Sequence, residues 1–578
     1  MKKTLSLLTS LLLLVSYGYA QHRVYKKIML AKTQLTALKT TTLFNKPVSA
    51  NTQNALVSNT TAIEFSLNQA ELTKLEQKKA PFLNLTIPSS KQNAFELELI
   101  PINIYGPQFK LLNSQNKETL SSKGFHYQGI IKGDSTSLVA LSITNGEVSG
   151  FISNQNGNHI LGKLKSSKQY ILYNDKDLMH KGTADCGVSD ESIKQIVSTE
   201  VSQTTSNSSV SCVPIQIHLE ADHKIYQDHD SSTVLTTNFV TNLFAQIAVL
   251  YSNEGIGIQV SEIKIWEVTD PFAWTVTFQQ QYFAYVSYIG ENFNGHLAHL
   301  MSGRALGGGK GEIDQLCNKG KSISSRIDTI VVEVPTYSWS VNQIAHEIGH
   351  NIGSPHTHNC GWPGGPIDNC WYTESPTGGT GQCGSGPPPV NGGTIMSYCH
   401  LTGHGINFAH GFGTLPGNLL RSRAQACLGI TTPPISLSAI NVYSSTAHLL
   451  WEHPVGGGEY TIEYKPASSG TWTSKTTTKN GMVITGLLAN TVYDWRVKVD
   501  CSTYATDIFT TNNQPAINYC DVAYQYNCDV WFLKIYSFKV NNVDFSNDSS
   551  CPPVGEQAFL FSPIRNLNVG QTHTFSIH

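Results

Sequence analysis

"HEIGHNIGSPH", residues 346–356, places three histidines and one glutamate close together in the chain. Residues four positions apart lie on one face of an α-helix, so His346 and His350 can offer imidazole nitrogens to the same ion. His356 follows after a turn and can return as a third ligand, while Glu347 lies within reach of a water molecule at the metal. Three neutral histidines leave one open position on zinc, as a catalytic site requires. The stretch therefore predicts a helix with a catalytic zinc site and Glu347 as the general base.

The sequence around this stretch fits such a helix. Thr336 or Ser338 can cap its first turn near Trp339, and Gly353 lets the chain leave the helix in a left-handed conformation. The alternative is a polar surface helix whose histidines fall in step by chance. At the histidine and glycine frequencies of this chain, the pattern should arise by chance on the order of once in ten thousand such sequences. The metal site is therefore the favoured interpretation.

A second motif, GGTIMSYCH at residues 392–400, follows the first. Together the two resemble the signature of the metzincin zinc proteases, in which a turn containing a methionine, here Met396, underlies the metal. The resemblance implies a twisted mixed α/β sheet with an active-site helix, one catalytic zinc ion, and hydrolysis of peptide bonds by a zinc-activated water with Glu347 as base. Tyr398 resembles the tyrosine that is an extra zinc ligand in astacins and serralysins and that swings away to stabilise the oxyanion. A packed tyrosine is the alternative.

Other segments resemble the reprolysin (ADAM-like) branch of the metzincins. They are LEADHKIY at 219–226, GGGKGEIDQLC at 307–317 and, upstream, residues 126–152, which resemble a reprolysin-type propeptide. Reprolysins usually carry aspartate after the third histidine, whereas this chain has Thr357. The acidic anchor of that branch is therefore missing or replaced.

Cys186, in TADCGVSD, resembles the cysteine switch of reprolysin propeptides, whose core is Cys-Gly-Val. The resemblance implies that its thiolate occupies the position that water needs on zinc and keeps the enzyme latent until the chain is cut downstream. A disulfide with Cys212 is the alternative. The lack of other cysteines in the propeptide favours the switch.

Six cysteines surround the two motifs: Cys317, Cys360, Cys370, Cys383, Cys399 and Cys427. By analogy with reprolysins they are expected to form three disulfides, whose connectivity cannot be read from the sequence. Four further histidines lack helical or hairpin spacing to one another and are expected in loops or at the surface: His358, His400, His404 and His410. A structural calcium ion is common in the relatives, but no acidic cluster in the sequence supports one.

The first residues of the chain are typical of an export signal. Lys2 and Lys3 precede an apolar run with a small-x-small ending at Ala20, so residues 1–20 are predicted to be removed. All twelve cysteines lie at or beyond Cys186, which suits an oxidising, extracellular location. Charged residues make up 14% and the net charge is -2, so no basic surface for nucleic acid is expected. No later segment predicts a stable membrane span.

The composition along the chain predicts a multidomain protein. A β-rich propeptide is expected over residues 21–205, where strand-like runs alternate with polar turns. The Ser/Thr-rich segment 197–211 is expected to be a protease-accessible linker. The metzincin domain is expected over residues 206–432, because predicted strands at 213–223 and 256–268 flank a predicted helix.

The predicted helix spans residues 231–255, and a further strand is predicted at 326–338. Residues 433–512 resemble a fibronectin type III β-sandwich, in which the spacing from Leu487 to Tyr493 matches the tyrosine corner. The last segment, residues 513–578, is expected to form a small β-rich module that resembles the truncated beginning of a β-sandwich.

These observations predict a secreted zinc endopeptidase that is made as a latent zymogen and acts on protein or peptide substrates. Gly308, Gly309 and Gly311 lie in a candidate edge strand that pairs with extended substrate, with a glycine-rich loop as the alternative. The fibronectin-like module is a candidate binder of protein or glycan. Two other functions stay open: an exported adhesin with a catalytically idle zinc domain, and a zinc hydrolase of non-peptide amides. Retention of Glu347 argues against the adhesin.

Overall fold

The computed structural model describes most of the chain outside its two ends. The described residues are 22–34, 38–45, 62–90, 92–119, 124–164, 167–178, 186–187, 211–327, 338–373, 383–428, 434–452, 460–477, 479–499, 502–515, 538–540, 543–544 and 575–577. The predicted signal peptide, residues 1–20, lies outside them, as does nearly all of the predicted linker 197–211.

The N-terminal part forms a nine-stranded sheet. Its elements are α1 Arg23–Gln34, β1 Leu38–Thr41, β2 Ile63–Ser66, α2 Gln69–Lys78, β3 Leu83–Pro88, β4 Ala94–Pro101, β5 Tyr105–Leu112, β6 Phe125–Ile131, β7 Leu138–Thr144, β8 Glu147–Asn154, β9 Gly157–Lys163 and β10 Gln169–Asn174. The spatial order is β1-β3-β4-β6-β7-β8-β9-β10-β2, so β5 is the one strand of this part that leaves the sheet. The pairs are antiparallel except that β1 is parallel to β3. The predicted β-rich fold is confirmed.

A second sheet holds the part of the chain that carries the two motifs. Its own strands are β11 Ser211–Ala221, β12 Ile256–Ile265, β13 Leu297–Met301, β14 Gly309–Gly311 and β15 Lys321–Ser324. The order β14-β15-β13-β11-β12-β5 places β14 at one edge and the N-terminal strand β5 at the other. The pairs are parallel except for β14 with β15. The predicted mixed α/β sheet is confirmed, and the addition of β5 is a feature that the sequence did not predict.

Five helices accompany this sheet: α3 His223–Asp228, α4 Thr233–Asn253, α5 Phe278–Ile289, α6 Ser338–Ile352 and α7 Thr414–Leu428. Helix α4 is long and apolar enough to cross a membrane by composition, but 67% of its apolar window is buried inside the protein. It is therefore a core helix. It supports α6 directly, because the Tyr251 hydroxyl donates a hydrogen bond to the Ala345 carbonyl at 2.8 Å.

The individual element predictions can be compared with these bounds. Strand β11 and helix α4 lie where the sequence predicted them, and β12 covers most of the strand predicted at 256–268. Helix α6 begins at Ser338, one of the two predicted capping residues. The strand predicted at 326–338 lies mainly outside the described residues.

The chain after α7 forms a β-sandwich. Its strands are β16 Ile435–Ile440, β17 Thr446–Glu452, β18 Tyr460–Pro466, β19 Thr473–Thr477, β20 Gly481–Thr485, β21 Val492–Val499 and β22 Ala505–Thr510. They form two sheets, β16-β17-β20 and β19-β18-β21-β22. The Leu488 N–H donates to the Tyr493 hydroxyl at 2.9 Å, which is the contact expected of a tyrosine corner. Three short strands near the C-terminus, β23 Phe538–Val540, β24 Val543–Asp544 and β25 Phe575–Ile577, form a further sheet.

Three disulfides pin the loops around the two motifs. They join Cys317 to Cys427, Cys360 to Cys383 and Cys370 to Cys399. The number and membership agree with the expectation, and the structure supplies the connectivity. The first bridge ties the chain beside β15 to α7, and the other two fasten the long loop that follows helix α6.

Candidate metal centre and active site

Helix α6 and the turn after it bring three histidines together. His346 and His350 lie one turn apart, and their Nε2 atoms are 3.1 Å apart. The chain then turns at Gly353, whose φ of +135° suits glycine and no other residue without strain. The Nε2 atom of His356 lies 3.2 Å from that of His350. All three imidazoles are buried, so the turn delivers the nitrogens to one enclosed point.

Backbone carbonyls hold the outer nitrogens of two of these rings. The Nδ1–H group of His346 donates to the Ile395 carbonyl at 2.8 Å, and that of His350 donates to the Ser354 carbonyl at 2.8 Å. Such contacts fix the ring orientation and direct the Nε2 lone pairs to the common centre. Burial and the neighbouring His356 lower the pKa of His346 well below its ordinary value. The ring is therefore neutral, which is the form that binds a metal.

These separations fit a zinc ion. Nitrogens about 2.0–2.1 Å from a common ion in a tetrahedral arrangement would lie about 3.3 Å apart, close to the 3.1 and 3.2 Å found here. The Cys186 sulfur completes a group of four potential ligand atoms that all lie within 4.8 Å of one another. Nitrogen and sulfur donors in this number are the set that zinc prefers in proteins.

Met396 lies directly against the ligand helix. A Cβ atom at Gly349 would approach the Met396 sulfur to 2.7 Å, so glycine lets the helix come this close. The Met396 carbonyl accepts hydrogen bonds from the N–H group of Thr357 at 3.1 Å and from its hydroxyl at 3.5 Å. Thr357 therefore ties the chain after His356 to the methionine turn, at the position where reprolysins usually carry an aspartate.

Glu347 is buried between the ligand histidines and the edge strand. A Cβ atom at Gly309 would lie 2.4 Å from its Oε1 atom. The Cys186 thiol donates to Oε2 at 3.6 Å. Burial raises the pKa of Glu347 to about 8, although Cys186, His356 and Lys310 act in the opposite direction. The carboxyl group thus faces the backbone of β14 on one side and the thiol at the metal centre on the other.

Cys186 and Gly187 lie in the cleft between β14 and α6. The Cys186 sulfur is 3.6 Å from the Nε2 atom of His350. The Gly187 N–H donates to the Gly309 carbonyl at 2.8 Å, and Cys186 pairs with Gly309 as a parallel bridge. The sulfur lies inside the site, so the alternative disulfide with Cys212 is not formed.

The side chain of Tyr398 lies at the same cleft. Its hydroxyl donates to the Cys186 carbonyl at 3.0 Å. Its ring stands edge-on to His356, with centroids 4.7 Å apart, and the side chain is 2% exposed. The tyrosine hydroxyl therefore binds a backbone carbonyl of the chain segment that lies in the cleft.

The glycines of β14 form an edge strand and not a loop. Gly309 and Gly311 pair antiparallel with β15, while the carbonyl of Gly308 accepts hydrogen bonds from the Ser325 N–H and hydroxyl at 3.1 and 2.7 Å. A Cβ atom at Gly311 would lie 2.6 Å from the carbonyl oxygen of Glu347. Glycine is needed here because the ligand helix packs directly against the strand.

Several residues of the site were not identified from the sequence. A pocket beside the ligands is lined by Cys186, Gly309, Trp339, Asn342, Gln343, His346, Glu347, Tyr398 and His400. The helical spacing could have found Asn342 and Gln343, which lie four and three residues before the first ligand histidine. The indole of Trp362 donates to the His356 carbonyl at 2.7 Å, a contact that no local pattern signals.

His358 lies in a loop, one of the two places expected for the extra histidines, but it is not at the surface. It is fully buried, and its ring stacks on that of His356 with centroids 4.9 Å apart. His358 is buried because the chain after Gly353 stays in the interior, and residues 356–359 are all fully buried. His400 also borders the site, with its ring 4.7 Å from that of Trp339, whereas His404 is exposed as expected.

Residues 214–406 match the family model Reprolysin_5, metallo-peptidase family M12. Part of the chain is similar to the fn3 domain of human collagen alpha-1(XX) chain, with 19% identity over 16% of this chain and 93% of that chain and a TM-score of 0.15. Another similar structure is the fn3 domain of human contactin 1, with 18% identity over 15% of this chain and 84% of that chain and a TM-score of 0.14. TM-scores this low carry no argument about the fold, so the β-sandwich is assigned from its own strand pairing.

Proposed function

Because residues 214–406 form a metallopeptidase domain of the reprolysin-type M12 family, we propose that this protein is an exported zinc endopeptidase made as a latent zymogen. The observation that carries the proposal is the convergence of three buried imidazole nitrogens, 3.1 and 3.2 Å apart, beside the buried carboxylate of Glu347. Exported M12-type peptidases act on protein or peptide chains, and the glycine edge strand supplies a place for an extended chain to lie.

His346, His350 and His356 would hold the zinc ion. When bound, zinc polarises a carbonyl and lowers the pKa of water towards neutrality. The contacts of the His346 and His350 Nδ1 atoms with backbone carbonyls keep these rings in the tautomer that a ligand needs. Met396 and Thr357 support the turn beneath them.

Glu347 would act as the general base and acid. Its carboxylate lies against β14 and beside the ligands, so it can take a proton from the attacking water at one oxygen and deliver it to the leaving amine. The absence of a side chain at Gly309 leaves room for this carboxylate, and its absence at Gly311 leaves room for the Glu347 backbone carbonyl.

Tyr398 and the edge strand would orient the substrate. Tyr398 donates to the backbone carbonyl of Cys186, and the same hydroxyl can donate to the carbonyl oxygen of a substrate as negative charge develops there. Gly309 binds the backbone of the chain in the cleft, as an open strand edge does with an extended peptide. Tyr398 is also a candidate zinc ligand in the resting enzyme, and metal spectroscopy of Tyr398→Phe tests this role.

Cys186 would keep the zymogen latent. Its sulfur lies 3.6 Å from the Nε2 atom of His350 and completes the group of four potential ligand atoms. A thiolate is a strong zinc ligand, so it would exclude the water molecule that hydrolysis needs. The segment that carries it runs parallel to β14, and latency would last until the chain is cut between Cys186 and the second sheet and the cut propeptide has dissociated.

We further propose domain limits for this protein. They are an export signal at 1–20, a propeptide at 21–205, the protease at 206–432, a fibronectin type III domain at 433–512 and a small β-rich module at 513–578. The fibronectin-like domain is a candidate binder of protein or glycan. An extracellular location follows from the export signal and suits the three disulfides.

The proposal is tested by removing and restoring the metal. The matured protein, cut within residues 197–211 and separated from its propeptide, should cleave casein, lose this activity when a chelator removes its zinc, and regain it when one equivalent of zinc is added. Cleavage that persists in metal-free protein would exclude the zinc mechanism. Zinc-loaded protein that cleaves neither casein nor a diverse peptide library would favour an adhesin with an idle zinc domain.

A further inference from the structure

The pocket beside the metal ligands contains polar atoms that have no partner in the protein. Gln343 and Asn342 are each 4% exposed, and both line the pocket together with Trp339. Within the part of the chain that the structure describes, no group hydrogen-bonds the Gln343 Oε1 and Nε2 atoms, the Asn342 Oδ1 atom or the Trp339 Nε1 atom. These four atoms comprise two donors and two acceptors.

Their place on the helix directs them to the reaction centre. Trp339 and Gln343 are four residues apart, and Gln343 precedes His346 by three, so their side chains lie along one face of α6. Glu347 and Gly309 line the same pocket. A side chain that enters it therefore belongs to a substrate residue next to the bond that is cut.

Buried polar atoms without partners are unusual, because each one costs free energy unless a partner satisfies it. A ligand can be that partner. An aliphatic substrate side chain would displace water and leave the four atoms unsatisfied. A charged side chain would find no opposite charge in the lining except the Glu347 carboxylate, which the proposed reaction needs for the water molecule. A primary amide presents one acceptor and two donors, and it matches the mixed lining.

We propose that this pocket selects a substrate side chain that ends in a primary amide, glutamine or asparagine, adjacent to the scissile bond. Gln343 is the specificity-determining residue, because both polar atoms of its side chain are unpartnered at the pocket. Asn342 and Trp339 supply the remaining acceptor and donor. This inference rests on the proposed endopeptidase function and assigns the class of residue that the enzyme cuts beside.

The first test compares peptide substrates on matured protein. The peptides differ only in one residue beside the scissile bond, which is glutamine, asparagine, methionine, norleucine or glutamate. The amide peptides should have a kcat/KM at least about tenfold above that of the methionine and norleucine peptides, because sites built to hydrogen-bond a substrate reject analogues that lack the group. An equal or greater rate for the aliphatic peptides would overturn the proposal.

The second test changes the pocket. Gln343→Met keeps the length of the side chain and removes its amide, so it should erase most of the preference for glutamine and raise the rate with methionine. Gln514→Met, at an exposed position just after the β-sandwich, is the matched control and should leave the ratio unchanged. Zinc content and the thermal midpoint of each variant establish that it is folded. An unchanged glutamine-to-methionine ratio in folded, zinc-loaded Gln343→Met would overturn the proposal.

A binding measurement separates this inference from the proposed function. Calorimetry with the zinc-loaded Glu347→Gln variant measures the affinity of the same peptides without turnover. Tighter binding of the glutamine peptide, lost when Gln343→Met is added, supports the pocket assignment whatever the catalytic rate. Equal affinities overturn the pocket assignment alone, whereas failure of the parent to cleave any peptide overturns the endopeptidase.

Discussion

At the scale of single residues, the site depends on two positions that have no side chain. Helix α6 approaches β14 so closely that a Cβ atom at Gly309 would lie 2.4 Å from Glu347 Oε1, and one at Gly311 would lie 2.6 Å from the Glu347 carbonyl oxygen. Separations this short do not occur for real Cβ atoms, so something would have to move. The most mobile group is the carboxylate. Gly309 in the edge strand therefore fixes the position of the Glu347 carboxylate, the proposed base.

Gly309→Ala should lower kcat/KM by about tenfold or more while the zinc content stays at that of the parent, because the methyl group displaces Glu347 and not the histidines. Gly384→Ala is the control, since a Cβ atom there meets nothing within 4 Å. Steady-state cleavage and metal analysis of both variants provide the comparison. Equal rates for the two variants would show that the position of the carboxylate does not depend on Gly309.

The sequence could predict the ligands because helical spacing is a local property. His346 and His350 follow from their positions on one helix face, and Glu347 follows from its place beside them. The hydrogen bonds of Thr357 to the methionine turn and the burial of His358 depend on the path of the chain after Gly353. That path is set by packing against residues far along the sequence, so no local pattern reveals it.

At the scale of elements, a buried ion pair joins two strands of the central sheet. His218 on β11 is the register partner of Glu262 on β12. Its Nδ1 atom lies 3.1 Å from Glu262 Oε1, and its Nε2 atom lies 3.1 Å from Glu220 Oε1. Burial by itself would lower the pKa of His218, but the two carboxylates outweigh it and raise the pKa to about 9.

Stability should therefore fall between neutral and alkaline pH. Because the pKa in the folded protein lies above the ordinary 6.5, the stabilisation is complete below about pH 6.5 and is lost as the pH rises through about 9. The loss is on the order of 3 kcal/mol at most, at 1.36 kcal/mol per pKa unit. Denaturant unfolding from pH 6 to 10 measures it. His218→Gln should flatten this dependence, His404→Gln at the exposed control position should not, and a steep slope that survives His218→Gln would refute the assignment.

Strong periodicity made some elements predictable and left one hidden. The apolar spacing of α4 and the apolar runs of β11 and β12 are intrinsic to each segment, so their positions followed from the sequence. The sequence of β5 is also typical of a strand, but it does not indicate that β5 pairs with β12 and not with its neighbours β4 and β6. Strand partners that are distant in sequence are decided by the packing of the whole chain.

At the scale of the whole molecule, the N-terminal part and the second sheet share one hydrophobic core. Val24, Ile104 and Phe151 belong to the same buried cluster as Ile217 and Ile344. The two parts also share a sheet, because β5 of the N-terminal part pairs with β12. The contact of Cys186 with the site is thus only one of several contacts between the two parts.

Polar contacts hold the β8–β9 hairpin to the chain that follows the methionine turn. The amide of Asn158 donates to the Ile406 carbonyl at 2.8 Å and accepts from the Phe408 N–H at 2.9 Å. The amide of Asn407 donates to the Asn154 carbonyl at 2.9 Å. These hydrogen bonds are buried, so they stabilise the interface without competition from water.

A single cut in the predicted linker should therefore leave the propeptide bound. After cleavage at a protease site engineered within residues 197–211, both fragments should elute together in gel filtration at neutral pH, because they dissociate slowly, and denaturant should separate them at once. Asn158→Leu removes two buried hydrogen bonds at the interface and should speed dissociation, whereas Asn113→Leu, outside these contacts, serves as the control. Immediate release of the propeptide after the cut would contradict a shared core.

The most direct measurement of the central claim compares matured protein with its Glu347→Gln variant, both processed by the same added protease and freed of propeptide. Zinc is measured by metal analysis and activity by cleavage of casein. We predict one zinc per chain in both proteins and cleavage by the parent alone, because the substitution removes the base and keeps the three ligands. Equal cleavage by both would contradict the role of Glu347, and absence of zinc from both would contradict the metal centre itself.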